Sequence, residues 1–136
     1  MNRHIDLFFQ GYTWDEYFYV IGNRSGILIV YRGGLDSEGA VKLDEIVLVE
    51  EAEHISTIYE SEKLKEIRVE TQLKGVNDRL FFSYAEVDDS IKEEVTKQLR
   101  YTLCPIDRKC DINNNINNRI KCKGACALFP KELIES

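Results

Sequence analysis

Proline is almost missing from this chain, with 2 in 136 residues, and Met and Trp occur once each. With so little proline and only 8 glycines, collagen-like and proline-rich linker architectures are excluded. Long apolar runs are missing as well. None approaches the roughly 20 residues that cross a bilayer, and Asp6 interrupts the first segment before a signal-peptide core could form, so a soluble cytoplasmic protein without membrane contact is expected. No Gly-rich phosphate loop, Gly-x-Ser-x-Gly elbow or His-x-x-x-His pair occurs, which removes P-loop, α/β-hydrolase and zincin chemistry. The two histidines, His4 and His54, are far apart in sequence. An excess of cations is lacking too. Eighteen Lys and Arg stand against 24 Asp and Glu, a net charge of −6, so the electrostatic term that dominates non-specific DNA affinity is absent overall.

What remains is ordinary material for one domain. The chain is 43% hydrophobic and 31% charged, and a domain of this size buries about 68–70% of its unfolded surface, so its core requires neither metal nor disulfide. The charge is unevenly spread. Residues 1–107 hold 12 basic and 21 acidic side chains, whereas residues 108–136 hold six basic and three acidic ones. A basic, Asn-rich tail over 108–136 is therefore expected to pack against an acidic domain over 1–107.

Strand patterns dominate the first third. Ile5, Leu7 and Phe9 alternate, Tyr17–Ile21 is aromatic and β-branched, and Gly26–Tyr31 and Glu45–Glu50 have continuous apolar middles, as in strands covered on both faces. Arg32–Gly39, with Gly33 and Gly34, is expected to be a loop. Ala52, Ile55, Ile58 and Tyr59 predict a helix over about 51–63, and the alternation of Ile67, Val69, Thr71 and Leu73 predicts a half-exposed strand. Leu80–Ala85 predicts a strand. Ser90-x-x-Glu93 is a capping box before a helix with apolar residues Ile91, Val95, Leu99 and Leu103, and Pro105 ends it. Asp111–Asn118 is a polar loop, and Ile120 with Cys126–Phe129 could add a last strand. The expected fold class is α+β, with a small, mostly antiparallel sheet flanked by helices.

Four cysteines occur as Cys104-x5-Cys110 and Cys122-x3-Cys126. Only the second pair has the short span of a zinc knuckle, so unliganded thiols are favoured over Zn²⁺, and Zn²⁺ over disulfides. Arg108 and Lys109 would lower the Cys110 pKa, but neither histidine is near it in sequence to act as base. Asp44, Glu45, Glu50, Glu51 and Glu53 are the densest carboxylates. Such groups hold Mg²⁺ only when they converge, and Glu51 is read as the start of a helix, where its charge favours the macrodipole. The aromatics Phe8, Phe9, Tyr12, Trp14, Tyr17, Phe18 and Tyr19 lack interleaved cations, so they read as core, with Trp14 the exposed exception.

Ser25-Gly-Ile-Leu-Ile-Val-Tyr31, a loop, and Val47-Leu-Val-Glu-Glu-Ala-Glu-His-Ile55 together resemble the GIY-YIG endonuclease family. There the first strand reads Ser-Gly-Ile-Tyr-x-Val-Tyr and the second Ile-Tyr-Ile-Gly-Glu-Ala-Glu-Asn-Ile. The resemblance extends upstream to Gly11–Asp15 and downstream through Leu80–Val87, the capped helix and Pro105, covering about residues 7–107. It implies a small antiparallel sheet flanked by helices, and hydrolysis of a DNA phosphodiester by motif tyrosines, a helix arginine and a glutamate that holds one divalent metal.

This chain departs from the pattern at every reacting position. The tyrosines fall on Leu28 and Leu48, the close-approach glycine on Glu50, the arginine on Ile58 and the metal glutamate near Thr96. Aliphatic side chains cannot bond or move a proton, and the Glu50 charge would repel a phosphate. The resemblance thus implies no catalytic or metal-binding residues and an inactive, pseudoenzyme binding or regulatory module without cofactor. The acidic balance favours a basic protein partner over DNA, for instance as an immunity or antitoxin-like protein. Two alternatives stand beside it. One is a Mg²⁺-dependent endonuclease with Glu93 or Glu94 as relocated ligand. The other is a non-cleaving nucleic-acid binder through Arg108, Lys109, Arg119, Lys121 and Lys123.

Overall fold

Side-chain alternation on the central strands divides the molecule into two layers. A computed structural model describes residues 4–14, 24–75, 78–105 and 118–135. Its strands are β1 (His4–Trp14), β2 (Gly26–Leu35), β3 (Val41–Ala52), β4 (Arg79–Ala85) and β5 (Arg119–Gly124), and its helices α1 (Ile55–Tyr59), α2 (Glu62–Lys74) and α3 (Lys92–Leu103). The strands form one sheet in the order β3-β2-β4-β1-β5. Three pairings are antiparallel and the last, β1 with β5, is parallel. The fold is α+β, as the sequence predicts.

On β2, Ile27, Ile29 and Tyr31 point to one face and Leu28 and Val30 to the other, and all five are fully buried. The first face packs under α3, through Val95 and Leu99, and under the C-terminal segment, through Phe129 and Leu133. The second packs under α1 and α2, through Ile55, Ile58, Leu64 and Ile67. Covering both faces is what the continuous apolar middles of β2 and β3 require. Where β3 meets β2, Val30 lies opposite Leu48 and Tyr31 opposite Ile46. Val47 is therefore the extra residue of a β-bulge, which lets neighbouring Val47 and Leu48 both join the α1–α2 side.

Several local expectations fail for identifiable reasons. The apolar residues at 67–73 form the second half of α2 instead of a strand. Leu64, Ile67 and Thr71 are its buried stripe, while Val69 and Leu73 are exposed, so the alternation of period two is incidental. The helix expected over 51–63 is broken into α1 and α2 by Ser61. Its hydroxyl donates to the Ile58 carbonyl (2.6 Å) and accepts from the Leu64 amide (3.2 Å), capping the second helix as it closes the first. Glu51 and Ala52 belong to β3.

Arg32–Leu35 continue β2 instead of leaving it as a loop. Gly33 lies at a register shift, and a Cβ there would sit 2.2 Å from the Lys42 carbonyl oxygen, so close strand approach requires that glycine. Ser90 is not a helix cap. It bonds Asp88, and Ile91 caps α3 without a side-chain bond. Cys126–Phe129 form a turn in which Leu128 has φ 69°, not a strand. Tyr17–Ile21 and most of Asp111–Asn118 lie outside the described residues.

Phe9 is fully buried and packs edge-on to Phe129, with ring centroids 5.5 Å apart. Among the aromatics from β1 whose side chains are described, the exposed one is Phe8, at 56%. It lies on the half of the second face that belongs to β1 and β5, beyond α1 and α2, where His4, Asp6 and Gln10 are exposed as well.

Candidate functional site

Leu28, Leu48 and Ile58 come together in the core under α1 and α2, with exposures of 0, 1 and 6%. Leu28 and Leu48 lie on adjacent antiparallel strands, and the packing of α1 on them brings in Ile58. A hollow of about 200 Å³ opens at the edge of this cluster, lined by Leu48, Glu50, Glu51, Ala52, Thr57, Ile58, Ser61 and Lys63. Its volume is below the roughly 300–1,000 Å³ of ordinary small-molecule pockets.

The polar groups around the hollow are largely engaged with the scaffold. Thr57 donates to the His54 carbonyl (2.7 Å), and Ser61 bonds helix backbone on both sides. Glu50 is ion-paired with Arg100, whose Nε also donates to the Val49 carbonyl (2.8 Å). Arg100 therefore reaches from α3, on the first face, around the edge strand β3 to a residue of the hollow. Glu51 accepts a hydrogen bond from Thr96 (3.0 Å), whose proton is shared with the Lys92 carbonyl (2.7 Å). Thr96 itself is fully buried.

Five sequence positions thus converge. Leu48, Glu50 and Ile58 line one hollow, Leu28 packs with two of them, and Thr96 touches Glu51 on its wall. The hollow offers an aliphatic floor and carboxylates on its wall. No hydroxyl on it is paired with a base. Glu93 and Glu94 do not line it: both are exposed on α3, and Glu93 bonds Lys97 (3.2 Å). His54, at the start of α1, is exposed.

The remaining carboxylates of the sequence cluster diverge. Glu45 lies across from Arg32 on β2 and forms an ion pair with its guanidinium. Arg32 is only 5% exposed, and its Nε donates to the Thr71 hydroxyl of α2 (2.9 Å). Sequence reasoning missed this residue, although Leu28, Val30 and Arg32 share the parity of one strand face. It missed Arg100 as well, and there no spacing signals the reach across a strand edge. A second, wider groove of about 520 Å³ is lined by Arg24, Ser25, Glu86, Val87, Asp88 and Asp89. Its charges are partly paired: Arg24 with Glu86 (3.0 Å) and Lys92 with Asp89 (3.0 Å), while Ser25 donates to Asp89 (2.9 Å) and Ser90 to Asp88 (2.9 Å). The same bonds from Lys92 and Ser25 hold the Asp89 carboxyl below its usual range.

Of the cysteines, Cys104 is disulfide-bonded, contrary to the expectation of unliganded thiols, while Cys122 and Cys126 are free and buried. Cys110, Arg108 and Lys109 lie outside the described residues. Among the described residues no three His, Cys, Asp or Glu side chains converge as metal ligands, and no helix is long and apolar enough to cross a membrane. Of the tail cations, Arg119, Lys121 and Lys123 sit on β5, alternating with the buried Ile120 and Cys122. Lys121 donates to the Glu132 carbonyl (2.8 Å). Comparison with family models, curated proteins and solved structures finds no match to this chain.

Proposed function

We propose that this chain is a catalytically silent relative of the GIY-YIG endonucleases that serves as a binding or regulatory module for a protein partner. The carrying observation is that Leu28, Leu48 and Ile58 pack into one buried aliphatic cluster beside the hollow that Glu50 flanks. Under the sequence resemblance, these are the positions at which phosphodiester cleavage needs tyrosine hydroxyls, a guanidinium and a bare glycine. Losing a single transition-state charge donor already lowers rates by about 10²–10³. The acidic balance of the chain, and the Glu51 carboxylate above an apolar floor, suit a partner that presents basic side chains with long aliphatic stems.

Supercoiled plasmid incubated with the protein and Mg²⁺ or Mn²⁺ tests the silence. No nicking above buffer is expected. Nicking that co-purifies with the protein and disappears in Glu93→Gln, Glu94→Gln or Glu51→Gln would overturn the reading in favour of a metal-dependent nuclease with relocated ligands. A pull-down from the native cell is expected to recover a basic protein, and the Glu51→Lys variant is expected to lose it.

One observation favours a second reading, a non-cleaving nucleic-acid binder. Arg119, Lys121 and Lys123 follow one another on a single face of β5, and Lys123 lies beside the exposed ring of Phe8 in the strand register. Cations next to an aromatic ring are the elements of a single-strand platform. Under this reading affinity for an oligonucleotide falls steeply with salt and is lost in the triple variant Arg119→Gln, Lys121→Gln, Lys123→Gln.

A further inference from the structure

We propose that Cys122 and Cys126 form a peroxide-responsive dithiol that closes to a disulfide and fastens the 124–129 turn to the end of β5. This inference is independent of the functional reading above. Both thiols are free and belong to the same buried cluster, one from the strand and one from the turn that follows it. The backbone folds back sharply between them. Gly124 has φ 91°, the Ala125 amide donates to the Phe9 carbonyl (2.8 Å), and the Cys126 amide donates to the Gly124 carbonyl (3.0 Å).

Two tyrosines pin the turn on either side of Cys126. Tyr31 donates from its hydroxyl to the Ala125 carbonyl (3.3 Å), and the Tyr12 hydroxyl accepts from the Ala127 amide (2.9 Å). Their rings pack edge-on with centroids 5.6 Å apart. Beyond the turn, the Glu135 amide donates to the Cys122 carbonyl (2.9 Å), so the strand partner is tied down as well. Strand and turn thus carry the two free thiols, four residues apart in sequence, into one cluster. Their mutual interaction lowers the Cys126 pKa and raises that of Cys122.

Exposure orders the steps. Cys126 keeps 8% of its surface and Cys122 none. Cys126, as thiolate, attacks one oxygen of a hydroperoxide, breaking the O–O bond and becoming a sulfenic acid while the other oxygen leaves as hydroxide or alkoxide and takes up a proton. The Cys122 sulfur then attacks the sulfenic sulfur. An S–S bond forms, the S–O bond breaks, and the leaving hydroxyl departs as water with the Cys122 proton. Two thiols are oxidised by two electrons in all, and one peroxide is reduced to water, or to water and alcohol.

The test uses the whole purified chain, treated with stoichiometric hydrogen peroxide, alkylated and digested with trypsin without reductant. Cleavage after Lys121, Lys123 and Lys131 separates the two cysteines. The expected product is therefore the Cys122–Lys123 and Gly124–Lys131 peptides joined together, lighter by two hydrogens than their sum and separated by reductant. In Cys122→Ser the resolving thiol is gone, and Cys126 is expected to stop at sulfenic acid with one equivalent of peroxide and to proceed to sulfinic acid when a second equivalent is added. Recovery of both cysteines fully alkylated from the wild type overturns the proposal, as does Cys126 sulfinic acid beside an alkylated Cys122. A Cys122→Ser protein whose Cys126 remains a thiol overturns the assignment of Cys126 as the attacking residue.

Discussion

Removing the carboxylate of Glu45 leaves the guanidinium of Arg32 inside the layer between β2 and α2, without its closest counter-charge. The side chain of Arg32 is 6% exposed and that of Glu45 25%, with Lys74 3.7 Å from Glu45 and Glu70 3.8 Å from Arg32 at the rim. Removing one member of a buried ion pair costs about 3–5 kcal/mol, because the other charge stays desolvated. Glu70 and the partial exposure of this pair place Glu45→Gln at the lower end, about 3 kcal/mol. At roughly 3–4 °C per kcal/mol for a domain of this size, the melting temperature falls by about 10 °C. Arg32→Met should cost less. It leaves a carboxylate that reaches solvent and keeps Lys74, and the Thr71 hydroxyl still donates to the Ile67 carbonyl (2.8 Å). The double variant Arg32→Met, Glu45→Leu removes both charges, and such replacements are often neutral or stabilising. Calorimetry or urea titration of the four proteins measures the cycle. Finding Arg32→Met as damaging as Glu45→Gln, or a Glu45→Gln loss below about 1 kcal/mol, would refute the picture of a desolvated guanidinium held by one carboxylate.

Ile58→Ala and Leu48→Ala each open a cavity in the cluster and should lower stability by about 2–5 kcal/mol in urea titrations, whereas Ile58→Arg should destabilise through an unpaired buried charge and still fail to nick plasmid. Gly124→Ala would put a Cβ 2.3 Å from the Phe9 carbonyl oxygen at φ 91°, so it should cost more than about 1 kcal/mol and weaken the parallel pairing of β1 with β5, read by amide exchange. Burial pushes the Tyr31 hydroxyl far above the usual tyrosine range, so the folded chain retains that proton when the unfolded chain has lost it. Its contribution is complete below about pH 10 and is lost as pH rises further. Tyr31→Phe should therefore weaken the protein by about 0.5–1.5 kcal/mol at neutral pH and flatten its alkaline denaturation curve.

Legibility followed how much of the signal was local. The strands around Ile5–Phe9, Ile27–Tyr31 and Leu80–Ala85 could be read because alternation or a continuous apolar run is written within a few residues. The helix over 62–74 could not, since Val69 and Leu73 are apolar yet exposed and add a false period of two to the helical stripe of Leu64, Ile67 and Thr71. The convergence of Leu28, Leu48 and Ile58 could be expected only through a resemblance between motifs, because a shared cluster depends on strand register and helix docking. The reach of Arg100 to Val49 and the pairing of Thr96 with Glu51 join residues 51 and 45 positions apart and leave no mark on any local pattern, whereas Arg32 shows only in its parity with Leu28 and Val30. The tail divides in the same way. The alternation of Ile120 and Cys122 is visible, but the parallel partnership of β5 with the first strand is a property of the finished sheet.

The side chain of Arg100, laid across the flank of β3, has a consequence for how this molecule meets its neighbours. By capping the Val49 carbonyl it takes away one of the acceptors that an incoming extended segment would need in order to continue the ladder, and the bridge from Cys122 to Ile134 does the same along β5 at the far side. Each rim thus carries a contact that hinders fibre-like stacking.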